Sequence, residues 1–210
     1  MIDIDATAGR PTHRQRQAAQ TNADLKAAAR VVFARQGYLN TKITDITAEA
    51  GRAAGSFYNH FQSKEEVLAA LAVDIGEAAD IIANDPPHSV TESSVMPIHE
   101  STRNHLTVFW HTYAANRDVF AAIEQAALAN SAFAQQMRAF RAEQFRPWIA
   151  WLTELAARGA RLPAGPAATA AMIAATAETM IQTWDSDPQT GIDNLTEFIA
   201  AGLSADLDQR

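Results

Sequence analysis

In the stretch from Thr41 to Lys64, hydrogen-bonding side chains recur around two glycines. Gly51 can supply the tight turn between two short helices. Gly55, with Ala53 and Ala54, leaves the second of them, about Ala53 to Tyr58, thin enough for close approach to the floor of a DNA major groove. Ser56 can donate to or accept from a base edge or a phosphate. Tyr58 and His60 offer donors at the far end, and Lys64 sets a positive charge at the start of the next helix. Arg52, directly after the turn, has the reach to meet a phosphate. Phe57 and Phe61, four apart, face the other way, into a core.

The charge layout agrees with such a surface. The chain of 210 residues carries a net charge of −7, which by itself argues against nucleic acid. The average hides an asymmetry. Residues 1–64 hold nine Lys and Arg against five Asp and Glu, and residues 65–210 hold eight against nineteen. All three lysines, Lys26, Lys42 and Lys64, fall in the first part. A basic module that meets phosphate is joined to an acidic module with another task.

The elements that must position these groups read as helices throughout, so the expected class is all-α. Leu25, Ala28, Ala29, Val32 and Phe33 recur at i, i+3, i+4, i+7 and i+8, one face of a helix from about Asn22 that Gly37 ends. Ile43, Ile46 and Ala50 form a second, stopped by Gly51. Ser63 with Glu66 makes a capping box for a longer helix through Val67, Leu68, Leu71 and Ile75, stopped at Asn84 to Pro87. Further helices are expected at about Pro97 to Ala115, Arg117 to Ala129, Ser131 to Ala157 with a break near Phe145 before Pro147, Pro166 to Trp184, and Gly191 to Leu203. Residues 1–20 lack apolar periodicity and read as a flexible basic arm carrying Arg10, Arg14 and Arg16, with Arg14 or Arg16 expected in an adjacent minor groove. The expected division is 1–20 arm, 21–66 DNA-binding domain, and 67–210 ligand-binding and dimerisation domain.

The segment from Asn22 to Leu71 resembles the DNA-binding domain of the tetracycline-repressor (TetR) family of transcriptional regulators. Its hallmark is seen here as Tyr58, Asn59, His60, Phe61, Gln62, Ser63 and Lys64. The resemblance implies that Thr41, Lys42, Ser56, Tyr58, His60 and Lys64 touch DNA, mostly at phosphates, with Arg52, Ala54, Gly55 and Asn59 completing the surface. The chain departs from the pattern at Lys42, where relatives carry a capping Ser or Thr, and at Arg52 and Ala53, where they carry an aliphatic residue and a Ser cap.

One copy of this motif buries too little surface for tight specific binding, so two copies must be held at half-sites about 34–36 Å apart. Ala171, Ala175 and Thr179 form a small-residue stripe and Leu195, Ile199 and Leu203 an apolar one. In the resembled family the last two helices pair with those of a second copy. The partners expected are thus a double-stranded DNA operator, a second copy of the chain, and a small hydrophobic effector. For the effector, a box of Phe109, Trp110, Tyr113, Phe133, Met137, Phe140, Trp148, Trp151, Met172, Thr176 and Met180 is expected, with Thr176, Gln144 or His105 as polar anchors.

Other classes fare poorly. The chain has no cysteine, which excludes disulfides and thiolate metal sites. The longest uncharged run, Leu162 to Ala177, is too short and too proline-broken to span a membrane, and a cytoplasmic location is expected. His99, His105 and His111, spaced by six, point in different directions around a helix and make poor joint metal ligands. No nucleophile elbow, Walker loop or dinucleotide loop occurs. The expectation is no enzyme, no cofactor and no metal. The competing reading is a helical scaffold or sequestration protein that has lost DNA binding, motivated by Arg52 and Ala53.

Overall fold

The computed structural model describes residues 12–83 and 96–204, so Arg10 and the stop at Asn84 to Pro87 lie outside the described residues. Among those described, ten helices and no strand are found: α1 (His13–Asn40), α2 (Ile43–Glu49), α3 (Ala54–Tyr58), α4 (Lys64–Ala83), α5 (Ile98–Ala115), α6 (Arg117–Ala129), α7 (Ser131–Gln144), α8 (Arg146–Ala157), α9 (Pro166–Thr183) and α10 (Pro188–Ser204). None is long and apolar enough to cross a membrane.

The expected arm is corrected by α1, which starts at His13. The Thr12 hydroxyl accepts from the Gln15 amide while the Gln15 side chain accepts from the Thr12 amide, a reciprocal cap. Residues 13–20 are helical and exposed, so Arg14 and Arg16 ride on a projecting helix. At the other end Gly37 (φ +72°) breaks the helical path without ending the element, and Tyr38 turns inward. The break in the long seventh segment falls at Phe145, between α7 and α8, with Pro147 in the first turn of α8, where its missing N–H costs nothing.

Two clusters of buried side chains form the core. The first gathers Leu25, Val32, Phe33, Ile46, Phe57, Phe61, Val67 and Leu68 with Val119, Ala122 and Ala126 of α6 and Phe133 of α7. It therefore crosses the boundary expected near residue 66. The second joins α5, α8, α9 and α10 through Leu106, Trp110, Trp151, Leu152, Ile181, Ile192 and Leu195. Phe120 packs against both. Polar ties reinforce the join. Gln125 of α6 accepts from the amides of Tyr38 and Leu39 at 3.0 and 3.4 Å, and Arg30 donates to Asn116 at 2.6 Å. The helix-turn-helix thus has no core of its own separable from α6.

α10 is seated on α5 by Arg103–Asp193 (2.5 Å) and His99–Glu197 (2.7 Å) pairs. Its first turn comes so close that a Cβ on Gly191 would lie 2.4 Å from the Trp110 ring and 3.0 Å from Trp184 Nε1. Two indoles fix that approach, and neither can retreat without opening the core. Gly191→Ala should cost about 1–3 kcal/mol in urea unfolding. Gly55→Ala, whose Cβ would meet nothing within 4 Å, should leave the midpoint almost unchanged.

Candidate nucleic-acid interface and ligand cavity

Gly51 (φ +63°) turns the chain between α2 and α3, and the Arg52 amide donates to the Thr47 carbonyl at 2.8 Å to close the turn. Ile46, Phe57 and Phe61 anchor both helices in the core. Their opposite faces are open: Lys42, Thr44 and Ala48 on α2, and Ala53, Ala54, Gly55, Tyr58 and Asn59 along α3. Tyr58 is 60 % exposed. Ser56 and His60 are half-buried at the edge of that surface.

Three residues expected at DNA have their polar groups engaged within the fold. Thr41 is buried, and its hydroxyl donates to the Gly37 carbonyl at 2.7 Å. Lys64 donates to the carbonyls of Tyr38 (2.9 Å) and Thr41 (2.6 Å), and its ammonium lies 4.2 Å from the centre of the Tyr38 ring. The ammonium is half-buried and its pKa is lowered, chiefly by desolvation. It closes the end of α1 instead of reaching outward. Arg52 pairs with Asp24 of α1 at 2.5 Å, bracing the turn. Lys42 is exposed at the start of α2, and Asp45 caps that helix by accepting from the Lys42 amide at 2.9 Å. Ser63 accepts from the Glu66 amide as expected, but the Glu66 carboxylate takes its return bond from Gln62.

Behind this face, the carboxamide of Gln125 and the carboxylate of Glu65 bind the α1–α2 corner to the rest. Tyr38 donates its hydroxyl to Glu65 at 2.7 Å, and Asn130 approaches the same oxygen at 3.4 Å. The Tyr38 hydroxyl pKa is driven well up, first by burial and then by the hydrogen bond to Glu65.

A cavity of about 440 Å³ opens between α4, α5, α6, α7, α8 and α9. Of the expected box, Phe109, Tyr113, Met137, Phe140 and Trp148 line it, as do Gln144 and His105. The other members are corrected. Trp110 packs against Trp184, Trp151 donates to Ser101 and stacks on His105, and Phe133 belongs to the first core. Met180 packs at the edge of the second core. Met172 is 54 % exposed, and Thr176 is exposed with its hydroxyl on the Met172 carbonyl. The reason is rotational: Met172 and Thr176 share the outer face of α9, whereas Glu178 faces inward.

Beside Phe120, one of the aromatics concentrated in the acidic part, the cavity is lined by Ile123, Glu124 and Ala127 of α6, Arg138 and Arg141 of α7, and Glu178 of α9, none of which the aromatic spacing singles out. A signal existed: Phe120, Ile123 and Ala127 repeat at i, i+3 and i+7 on one side of α6, about 100° around the helix from Val119, Ala122 and Ala126. Arg141 pairs with Glu178 across the cavity and lies against the Phe145 ring. The Glu178 carboxyl is pushed up by burial, and Arg141 opposes the shift. The Gln144 amide enters because α4 has no side chain at Gly76, where a Cβ would stand 2.6 Å from its oxygen.

The dimer expectation also needs correction. Leu195, Ile199 and Leu203 are buried within the protomer. Ala171, Ala175 and Thr179 are exposed beside Met172 on α9, and Phe198 of α10 is 70 % exposed. The three histidines have unrelated surroundings: His99 pairs with Glu197, His105 is buried, and His111 is exposed.

With this geometry in place, comparison with known proteins is specific at the N-terminal end. The family model for bacterial regulatory proteins of the tetR family matches residues 25–71. The HTH-type transcriptional regulator YerO of Bacillus subtilis is 30 % identical over 82 residues, 35 % of this chain. The HTH-type transcriptional repressor DhaR of a Mycobacterium species is 56 % identical over 34 residues, 16 % of this chain. The matches span only 28 % and 17 % of those relatives' own lengths. Over nearly the whole chain the fold is similar to that of FadR, a fatty acid degradation regulator from Bacillus halodurans, with TM-score 0.72 and 19 % identity, covering 87 % of this chain and 96 % of that one.

Burial lowers the His105 pKa from 6.5 to about 4, opposed only by its bond to the Ser101 carbonyl. The fold therefore holds the ring neutral while the unfolded chain protonates it. Stability is full above pH ~6.5 and declines as pH falls toward ~4, by up to roughly 3 kcal/mol. Urea titrations from pH 7 to 4 should show this slope in the parent and lose it in His105→Phe.

Proposed function

We propose, from the match of residues 25–71 to the model for bacterial regulatory proteins of the tetR family, that the chain is a homodimeric repressor of that family, released from a palindromic operator when a small molecule fills the cavity. The observation that carries this reading is the double role of α6. One face lines the cavity with Phe120, Ile123, Glu124 and Ala127, while the other packs into the helix-turn-helix core and caps Tyr38 and Leu39 through Gln125.

On DNA, α3 enters the major groove with Ala54, Gly55 and Tyr58 foremost, and Asn59, Ser56 and His60 reach base edges or phosphates at its flanks. Lys42 meets a phosphate from the start of α2, and Arg14 and Arg16 extend the basic surface along α1. Thr41, Lys64 and Arg52 act one layer back, holding α2 and α4 against α1. The face has few base-reading groups, so backbone contacts and two-fold pairing supply much of the affinity.

The second copy docks on the outer face of α9 and α10. Support comes from the row Ala171, Met172, Ala175 and Thr179 on α9 and from Phe198 on α10, large and small groups left open on the last two helices. The small residues allow close helix approach, and Phe198 supplies area. Residues 67–210, less the share of α6 in the first core, are then the ligand-binding and dimerisation part.

A ligand that wedges α6 from α4 and α7 changes the seat of α1 and thereby the separation of the paired α3 helices. A hundredfold loss of operator affinity requires about 2.7 kcal/mol of coupling. The scaffold alternative is disfavoured by Gly55, since a chain released from DNA contact has no need for bare backbone at the most exposed point of α3.

Retention of the protein by its own upstream DNA tests this reading. Gly55→Glu places a carboxylate on the groove-facing side of α3 with open space around it, so it should abolish retention while the dimer persists in ultracentrifugation. Lys42→Ala should weaken binding several-fold and reduce the salt slope by about 1. A dimer that binds equally well with Gly55→Glu contradicts the docking.

A further inference from the structure

His105 and Thr112 sit seven residues apart on α5, hence on one face and about 10 Å apart along its axis. Nδ1 of His105 lies 2.8 Å from the Ser101 carbonyl. A carbonyl only accepts, so that nitrogen carries the proton and Nε2 presents a bare lone pair. The ring is 2 % exposed, stacked on Trp151 at 4.5 Å and edge-on to Trp148 at 5.2 Å. Burial keeps it neutral.

Nε2 of His105 and Oγ1 of Thr112 are the buried side-chain polar atoms that lack a hydrogen-bond partner among the described residues, and both residues line the same cavity. Thr112 departs from its neighbours. Thr102, Thr107, Thr176 and Thr179 all donate to the carbonyl four residues back, the default for a helical threonine. Its hydroxyl is not used by its own helix. A buried polar atom left unpaired is destabilising, so two in one chamber point to a guest that satisfies them.

We propose that the cavity takes an uncharged, largely aromatic ligand bearing a hydroxyl that donates to Nε2 of His105, with a second polar group of the ligand meeting Thr112. The aromatic walls Phe109, Tyr113, Phe140 and Trp148 suit flat rings. A carboxylate is refused at the His105 end, because its oxygens would face a lone pair there. Of the two arginines that line the cavity, Arg141 is paired with Glu178, and a carboxylate drawn to Arg138 would still leave Nε2 of His105 unsatisfied. This assignment deepens the reading of the cavity as the effector site and rests on it.

Calorimetric titration of the full chain with 2-naphthol, 2-methoxynaphthalene and 2-naphthoate tests it. The naphthol should bind about tenfold tighter than the ether or the carboxylate, and His105→Phe should erase most of that preference. In the unmutated protein, the ¹⁵N resonance of His105 Nε2 should move on adding naphthol and stay in place with the ether, a readout that needs no variant to fold. Equal affinity for the three probes, no binding of any, or a preference that survives in His105→Phe overturns the proposal. Naphthol binding through His105 that leaves retention on DNA unaltered would sustain this inference and count against the repressor reading. Release by ligands indifferent to His105 would do the reverse.

Discussion

α6 has two apolar faces and can satisfy both only by being shared. Thirteen residues long, it buries Val119, Ala122 and Ala126 against α1 and presents Phe120, Ile123 and Ala127 to the cavity. Close packing makes this consequential. A wedge on one face of a rigid rod in a dense core cannot be absorbed locally, so displacement passes to whatever packs on the adjoining face. Here that is α1, whose bent end carries the amides of Tyr38 and Leu39 onto Gln125.

The same economy explains the DNA-facing surface. The cations that the sequence offers most visibly for phosphate are partly spent within the domain: Lys64 on the carbonyls of Tyr38 and Thr41, and Arg52 on Asp24. Lys64 holds carbonyls at a corner where a helix end leaves them unpaired, and Arg52 ties the turn before α3 to the side of α1. What remains open is a bare α3, with Gly55 and Ala54 exposed, framed by Lys42 and Tyr58. On the proposed reading, fixed geometry, not abundance of charge, is what this module would bring to a groove.

Much of the fold was legible because helices announce themselves by spacing. The stripes through Leu25 and Phe33 and through Val67 and Leu71 gave α1 and α4, and Pro147 gave the break at Phe145. The start of α1 was missed because residues 13–20 bury almost nothing. The only signal was Thr12 with Gln15, a capping pair that holds without any apolar face. At the candidate site, Phe109, Tyr113, Met137, Phe140 and Trp148 were found because bulky side chains concentrate where helices meet. The stripe cannot say on which side of a helix a cavity opens, so Trp110, Trp151 and Phe133 proved to be core. Leu195, Ile199 and Leu203 failed for a related reason, since an apolar stripe looks alike whether it faces its own core or a second copy.

The central claim is that filling the cavity beside α6 alters the spacing of the two α3 helices in a dimer. The absence of cysteine allows a single spin label at Gln62→Cys, exposed just beyond α3 and outside the residues assigned to DNA. Pulsed electron–electron distances between the two labels should give one population near 35 Å in the DNA-bound protein. Adding Ala127→Trp, which fills the cavity from α6 itself, should move that population by several ångströms and lower affinity for DNA. An unshifted distance in a folded dimer with the cavity filled, or no inter-label distance at all at micromolar protein, would contradict the account.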